Sequence, residues 1–243
     1  MTSVILFVFG TVVGSFLNVV AMHWDTDRGL KGRSKCPSCD KVLKWYELVP
    51  ILSFVLQLGK CRNCHSRISL EYLVIEILTG LIFMTVPYQM WPVFCIYIVI
   101  LVYDLKHKII PDPLVYLAIV LSFAQPLFIT HYTLLDWLSG PIMFTFFGLV
   151  WLLSKGRAMG FGDAKLALSL GLLLGARNGF SAIILAFWIG ALVSLVYLSF
   201  NKIGFIKNAK SLTMKSEIPF APFIILGAWL SLLLDLNLTH VIY

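Results

Sequence analysis

Trp91-Pro92-Val93-Phe94-Cys95-Ile96-Tyr97-Ile98-Val99-Ile100-Leu101-Val102-Tyr103-Asp104-Leu105-Lys106-His107-Lys108 decides the fold. Its apolar part, 91–105, falls short of the roughly 20 residues that a bilayer-crossing helix needs. The helix reaches full length only by continuing past Asp104. A carboxyl at the edge of hydrocarbon costs about 2.5–3.5 kcal/mol on insertion scales, so it normally has a partner and a job. A second stretch repeats the pattern. Gly160-Phe161-Gly162-Asp163-Ala164-Lys165 opens a short apolar run, 163–176, whose helix must begin at or before Asp163. Two such carboxyls facing each other can share one proton and activate water.

The rest of the chain fits this frame. It has 243 residues, of which 59% are hydrophobic and 13% charged. Soluble domains carry about 25% charged residues, so the expected class is an all-α polytopic membrane protein. Apolar runs at 3–22, 70–87, 91–105, 112–130, 134–154, 163–176, 179–200 and 219–237 predict about eight transmembrane helices. The charges test that reading. With the N-terminus outside, all but one of the 19 Lys and Arg residues fall on one side, leaving only Arg177 opposite. That bias marks the cytoplasmic side and supports both span count and orientation. Both termini are then expected outside, with Asp104 and Asp163 at the cytoplasmic edge. The net charge of +7 is spread among short loops rather than gathered on one face, which argues against nucleic acid. The first run lacks a basic n-region and a small-residue cleavage site, so it reads as a retained span.

Between the first two spans lies a polar loop, 23–69. It holds Cys36-Pro37-Ser38-Cys39 and Cys61-Arg62-Asn63-Cys64. Four thiolates in two such pairs can close a tetrahedral zinc site with no open position, so the metal is expected to be structural. Redox dithiols or a disulfide are the alternatives, and a reducing compartment argues against the latter. His65 reads as a bystander, since four cysteines complete the shell. Between the pairs, 46–58 is too short to span and suits an interfacial helix kinked or opened by Pro50. The loop's nine basic residues suit anionic headgroups better than a basic peptide.

Each acid also has a plain structural reading. Asp163 can cap the helix that follows it. Asp104 can pair with Lys106, Lys108 or Lys165, which is worth little at a surface. Asp112 begins a helix ahead of Pro113, Asp136 and Asp235 fall on the outer side, and Glu71 suits a helix N-terminus. Glu76 lies deeper and can face a polar cavity. Gly160 and Gly162 permit close approach and unusual dihedrals beside Asp163. No Ser/His/Asp set, His-Glu-x-x-His or P-loop is present.

Together these pieces resemble the bacterial type IV prepilin peptidases, Gly-x-Gly-Asp membrane aspartic peptidases that are also N-methyltransferases. The likeness runs nearly end to end. It includes Gly14-Ser15-Phe16-Leu17-Asn18-Val19, both cysteine pairs, Glu76 with Thr79-Gly80, Asp104 with Ile110-Pro111-Asp112, and Gly160-Phe161-Gly162-Asp163. Pro219-Phe220-Ala221-Pro222 resembles the motif at the last span, with Ala221 where glycine is usual. The resemblance implies Asp104 and Asp163 as the catalytic pair, with Gly160 and Gly162 supporting the active-site loop. It implies zinc on Cys36, Cys39, Cys61 and Cys64, and S-adenosylmethionine as methyl donor. Asn18 and Glu76 are the candidates for the donor region. The expected substrates are prepilins or secretion pseudopilins in the bacterial inner membrane, with the oligomeric state open. The expected division is a first span at 1–22, a four-cysteine domain at 23–69 and a peptidase domain at 70–243. Two other readings stand beside it. One is a presenilin-like peptidase with other substrates. The other is a proton- or cation-handling transport or assembly protein, which leaves the cysteine loop unexplained.

Overall fold

The computed structural model describes residues 2–24, 34–124, 132–157, 159–202 and 219–234. Arg28, Lys31, Arg33, His131, Lys207, Lys210, Lys215, Asp235 and His240 lie outside the described residues, as do the far ends of the expected spans 112–130 and 219–237. The described residues are helical, with no strand longer than two isolated antiparallel bridges, Lys35 with Val42 and Lys60 with Arg67. The helices are α1 (Thr2–His23), α2 (Leu52–Leu56), α3 (Leu70–Thr85), α4 (Trp91–His107), α5 (Asp112–Ala124), α6 (Leu134–Ser154), α7 (Phe161–Lys202) and α8 (Ala221–Leu233). Every predicted apolar run therefore carries a helix. Four stretches among the described residues are long and apolar enough to cross a membrane: Thr2–His23, Tyr88–His107, Leu134–Ser154 and Phe161–Val196. Among the described residues α3 and α8 are shorter than a full span, and α5 is described only as far as Ala124. α4 does continue past Asp104, and α7 does begin before Asp163.

The chain forms two compact units, Met1–Val102 and Tyr103–Tyr243. In the first, α1 lies antiparallel on α3. Small residues set the approach: a Cβ at Gly14 would stand 2.7 Å from Thr79 Oγ1, and one at Gly10 would stand 2.7 Å from Phe83 Cβ. Close backbone contact of this kind drives helix association where lipid removes the hydrophobic difference. Near the α1 C-terminus, the Tyr72 hydroxyl donates to Met22 Sδ at 2.6 Å. Ser69 caps α3, its hydroxyl accepting the Glu71 N–H at 3.2 Å.

In the second unit α7 is the hub, packed against α5, α6 and α8. Gly140 of α6 and Gly171 of α7 meet so closely that a Cβ on Gly171 would stand 2.5 Å from Gly140 Cα. The sequence divides this region into runs ending at 176 and beginning at 179. The structure agrees: Gly175, with φ 72° and ψ −174°, separates two helices within α7, and the second folds back on the first, since a Cβ on Gly179 would stand 3.6 Å from Gly171 Cα. Three of the freed backbone groups are satisfied by α6 and the residues before it. Asp136 Oδ1 accepts the Ala176 N–H at 2.8 Å. Tyr132 donates to the Leu172 carbonyl at 2.6 Å, and Ser139 donates to the Gly171 carbonyl at 2.9 Å. Asp136 also closes a capping box with Thr133 at the start of α6. Helix ends leave N–H and C=O groups without intrahelical partners, and neighbours supply them here.

Candidate functional site

The two aspartates come together in the second unit, at helix ends. Asp104 sits in the last turn of α4, and α4 closes at Lys108, whose φ is 55° and whose N–H donates to the Asp104 carbonyl at 2.8 Å. Asp163 sits in the first turn of α7. Its Oδ2 accepts the N–H of Gly160 at 3.2 Å, which is one half of a capping box. The capping role foreseen for Asp163 is therefore real, and it uses only part of the carboxylate. Both side chains are buried, Asp104 at 4% and Asp163 at 7% exposure, and Asp163 lies within the electrostatic reach of Asp104.

Each neighbour has a definite task. Gly160 and Gly162 have ordinary backbone angles, since neither is among the positive-φ residues. What Gly162 supplies is room: a Cβ there would stand 2.9 Å from Ile110 Cβ, so α7 seats directly on the loop that follows α4. The backbone N–H of Ala221 donates to the Asp104 carboxyl. Ala221 opens α8 and is fully buried, so the positive end of that helix faces Asp104. In sequence Ala221 stands only within a motif, and no local signal ties it to Asp104. The other oxygen, Asp104 Oδ2, is buried with no hydrogen-bond partner among the described residues. Lys165 is committed elsewhere, to Asp112 Oδ1 at 2.6 Å, and rests over the rings of Tyr116 and Phe161. It joins α7 to α5 rather than neutralising the buried pair.

In the first unit the four cysteines form one cluster, their sulfurs all within 4.8 Å of one another. Each pair sits on the same kind of turn. The N–H of Cys36 donates to Lys41 O and that of Cys61 to Ser66 O; Asp40 and His65, four residues past the leading cysteine, take φ of 51° and 55°. His65 is thus the turn-forming residue of its knuckle, at the position that Asp40 fills in the other. Cys36 Sγ and Cys64 Sγ are 3.8 Å apart. Four sulfurs at about 2.3 Å from a tetrahedral metal stand about 3.8 Å from each other, so the donor set fits a metal ion. The N–H of Ser38 directed at Cys36 Sγ, helped by that of Cys39, lowers its thiol to about 6 despite burial. The Ser66 hydroxyl, at 3.0 Å, lowers that of Cys64. At Cys36 and Cys64 the thiolate, the ligating form, is thereby favoured.

Asn18 and Glu76 each reach across between α1 and α3, Asn18 toward Tyr72 and Glu76 toward Ser15. Asn18 is buried, its amide 3.5 Å from the Tyr72 carbonyl. Glu76 is buried and accepts the Ile51 N–H at 2.8 Å and the Ser15 hydroxyl.

Fold and site define a class: a helical membrane protein with two buried carboxyls at helix ends and a four-thiol metal module. Comparison with known proteins narrows this. Residues 8–90 match the bacterial peptidase A24 N-terminal domain, and residues 91–195 match the type IV leader peptidase family. A Bacillus subtilis protein named prepilin leader peptidase/N-methyltransferase is 30% identical over 246 residues, covering 94% of this chain and 93% of that one. A Myxococcus xanthus protein of the same name is 33% identical over 211 residues, covering 81% of this chain and 63% of that one. A Pseudomonas aeruginosa protein, also so named, is 26% identical over 270 residues, covering 92% and 87%. No solved structure gives a significant match. The chain belongs to the type IV leader peptidase family.

Proposed function

We propose that this protein removes the basic leader from type IV prepilins or type II secretion pseudopilins and methylates the new N-terminal amine. The observation that carries the reading is the buried pair Asp104 and Asp163, with Asp104 Oδ2 unpartnered at the end of a membrane helix. The relatives' shared name supports both activities. It does not favour the transport alternative.

Asp104 and Asp163 are the catalytic residues of this reading. Two carboxyls within reach of each other do not both ionise easily, so the pair holds one proton between them. The ionised member takes a proton from water as the water oxygen attacks the scissile carbonyl. The protonated member donates to that carbonyl oxygen. Collapse of the tetrahedral species breaks the C–N bond, and the amine leaves with a proton returned from the pair. The Ala221 N–H and the Gly160 N–H orient one oxygen of each carboxyl, which leaves the others for water and substrate. The substrate's apolar segment stays in the bilayer and presents its leader at the helix ends.

Cys36, Cys39, Cys61 and Cys64 would hold a structural Zn²⁺. Four sulfurs leave no open position, so the ion locks the 34–68 loop rather than taking part in hydrolysis. S-adenosylmethionine supplies the methyl group when bound. Asn18 and Glu76 are our candidates for that region of the chain, and the zinc-locked loop lies against it through the Ile51–Glu76 bond. Residues 23–69 thus serve methylation and 70–243 serve cleavage. The charge bias puts both at the cytoplasmic edge of the bacterial inner membrane, with the termini in the periplasm.

The test is cleavage of a prepilin in membranes by wild type, Asp104→Ala, Asp163→Ala and Cys36→Ser, with mass spectrometry of the product N-terminus. Either aspartate change alone stops cleavage while protein level holds. Cleavage by both aspartate variants would refute the mechanism.

A further inference from the structure

We infer that residues 45–58 form a bilayer-interface anchor that seats the metal module on an anionic phospholipid surface. Three independent observations in the first unit lead there. The first is exposure. Trp45 is 79% exposed, Leu56 66% and Leu58 84%, and Leu52 and Val55 are more than half exposed. Leu52, Val55 and Leu56 stand at helical spacing and share one face of α2. A contiguous apolar patch of this kind marks a partner or a membrane.

The second observation fixes depth. Glu76 lies six residues inside α3, roughly 9 Å below its first residue at 1.5 Å per residue. Its carboxyl holds the N–H of Ile51 at 2.8 Å and is itself held by Ser15 of α1. Ile51 is a β-branched residue at φ 60°, a conformation such residues rarely adopt. The loop therefore does not stand clear of the helix ends. Glu76 draws its middle down beside the α1–α3 pair, to the depth of about 5–10 Å at which interfacial helices bury their apolar face.

The third observation is charge. Within 44–67 the only acid is Glu47, which is buried with its Oε2 on the Lys44 N–H at 2.8 Å. Lys44, Lys60, Arg62 and Arg67 are exposed around the apolar face. Beside it, a groove of about 250 Å³ has Phe54, Leu58, Ile68 and Leu70 in its walls with Lys60 and Arg67 at its polar side. Apolar walls under two cations match an acyl chain beneath a phosphate. The same cations disfavour a basic leader peptide or a sulfonium. The occupant is therefore anionic lipid, and each basic residue near such a surface contributes favourably until salt screens it.

The test uses the full-length chain in nanodiscs of phosphatidylcholine with phosphatidylglycerol, without prepilin. Leu56→Trp and, separately, Leu58→Trp each add an emission on the face in question, read as the difference from wild type. With phosphatidylcholine brominated on its upper acyl carbons, the added emission should lose most of its intensity and be shielded from aqueous iodide. Adding Lys60→Gln and Arg67→Gln should weaken that quenching in discs containing phosphatidylglycerol and leave it unchanged in discs without. Quenching by iodide alone would overturn the inference, because the face is then in water. Shielding from both quenchers would also overturn it, because protein then covers the face. None of these readouts depends on peptidase or methyltransferase activity.

Discussion

Gly175→Ala tests the account of the second unit at its most constrained point. Gly175 has φ 72° and ψ −174°, a region open essentially to glycine, and a side chain there costs about 1–3 kcal/mol. The new Cβ would stand 2.6 Å from Asp136 Oδ1, the same oxygen that accepts the Ala176 N–H. Asp136 must move, and a hydrogen bond to a charged acceptor is worth about 1.5–3 kcal/mol. The two effects together come to about 2.5–6 kcal/mol. For a chain of this length each kcal/mol moves the midpoint by about 2–4 °C, so a fall of at least about 5 °C is expected. The assay is thermal unfolding of the full-length protein in detergent, followed by tryptophan fluorescence. Asp136→Ala alone should lose the same hydrogen bond. The double variant should therefore fall short of the two single effects added together, by about 1.5–3 kcal/mol. An unchanged midpoint for Gly175→Ala, or strict additivity, would refute the claim that Asp136 closes the break.

The remaining predictions concern the two sites and the packing between helices. Ala221→Gly should retain cleavage, because Asp104 uses only the backbone N–H; Ala221→Leu, at a fully buried position, should lose it, as a prepilin gel-shift assay would report. Cys36→Ser should lower bound zinc measured by elemental mass spectrometry and make 34–68 exchange amide hydrogens faster. Acidification should release the metal in a cooperative step as the thiolates protonate, since the Cys36 thiol is already depressed to about 6 and is charged at neutral pH. Ser122→Ala removes a buried bond of 2.9 Å to Ser169 between α5 and α7, and should cost about 0.6–1.5 kcal/mol by chemical unfolding.

The fold was legible wherever a local pattern carried it. Apolar runs placed the helices of the described residues, and their ends near 105 and 163 put Asp104 and Asp163 at helix ends. The cysteine spacing placed the four-thiol cluster, because two knuckles are local turns that need only meet once. What the sequence hid were pairings between distant residues. Asp136 reads as an outer acid far from everything, yet it holds a backbone N–H on α7. Nothing near Ala221 points to Asp104. Nothing near Glu76 says that Ile51 will descend to meet it. Helix lengths also resisted, because a run of apolar residues fixes where a helix can lie in lipid and not where its hydrogen bonds stop.

The arrangement of the carboxyls follows from the cost of placing them. An acid at the edge of hydrocarbon must find donors, and helix interiors have none to spare because their N–H groups are already bonded. Helix N-termini do, since the first four N–H groups lack intrahelical partners. The start of α8 serves Asp104, and the start of α7 serves Asp163. Such a solution satisfies one oxygen of each side chain and leaves the other free of a helix-end donor. It also makes the site depend on where three helices end. The break at Gly175 then has a use: it turns the chain back, so that the first half of α7 sits on Gly140 and Ile110 while the second half packs on Met143 and Phe147 of the same α6.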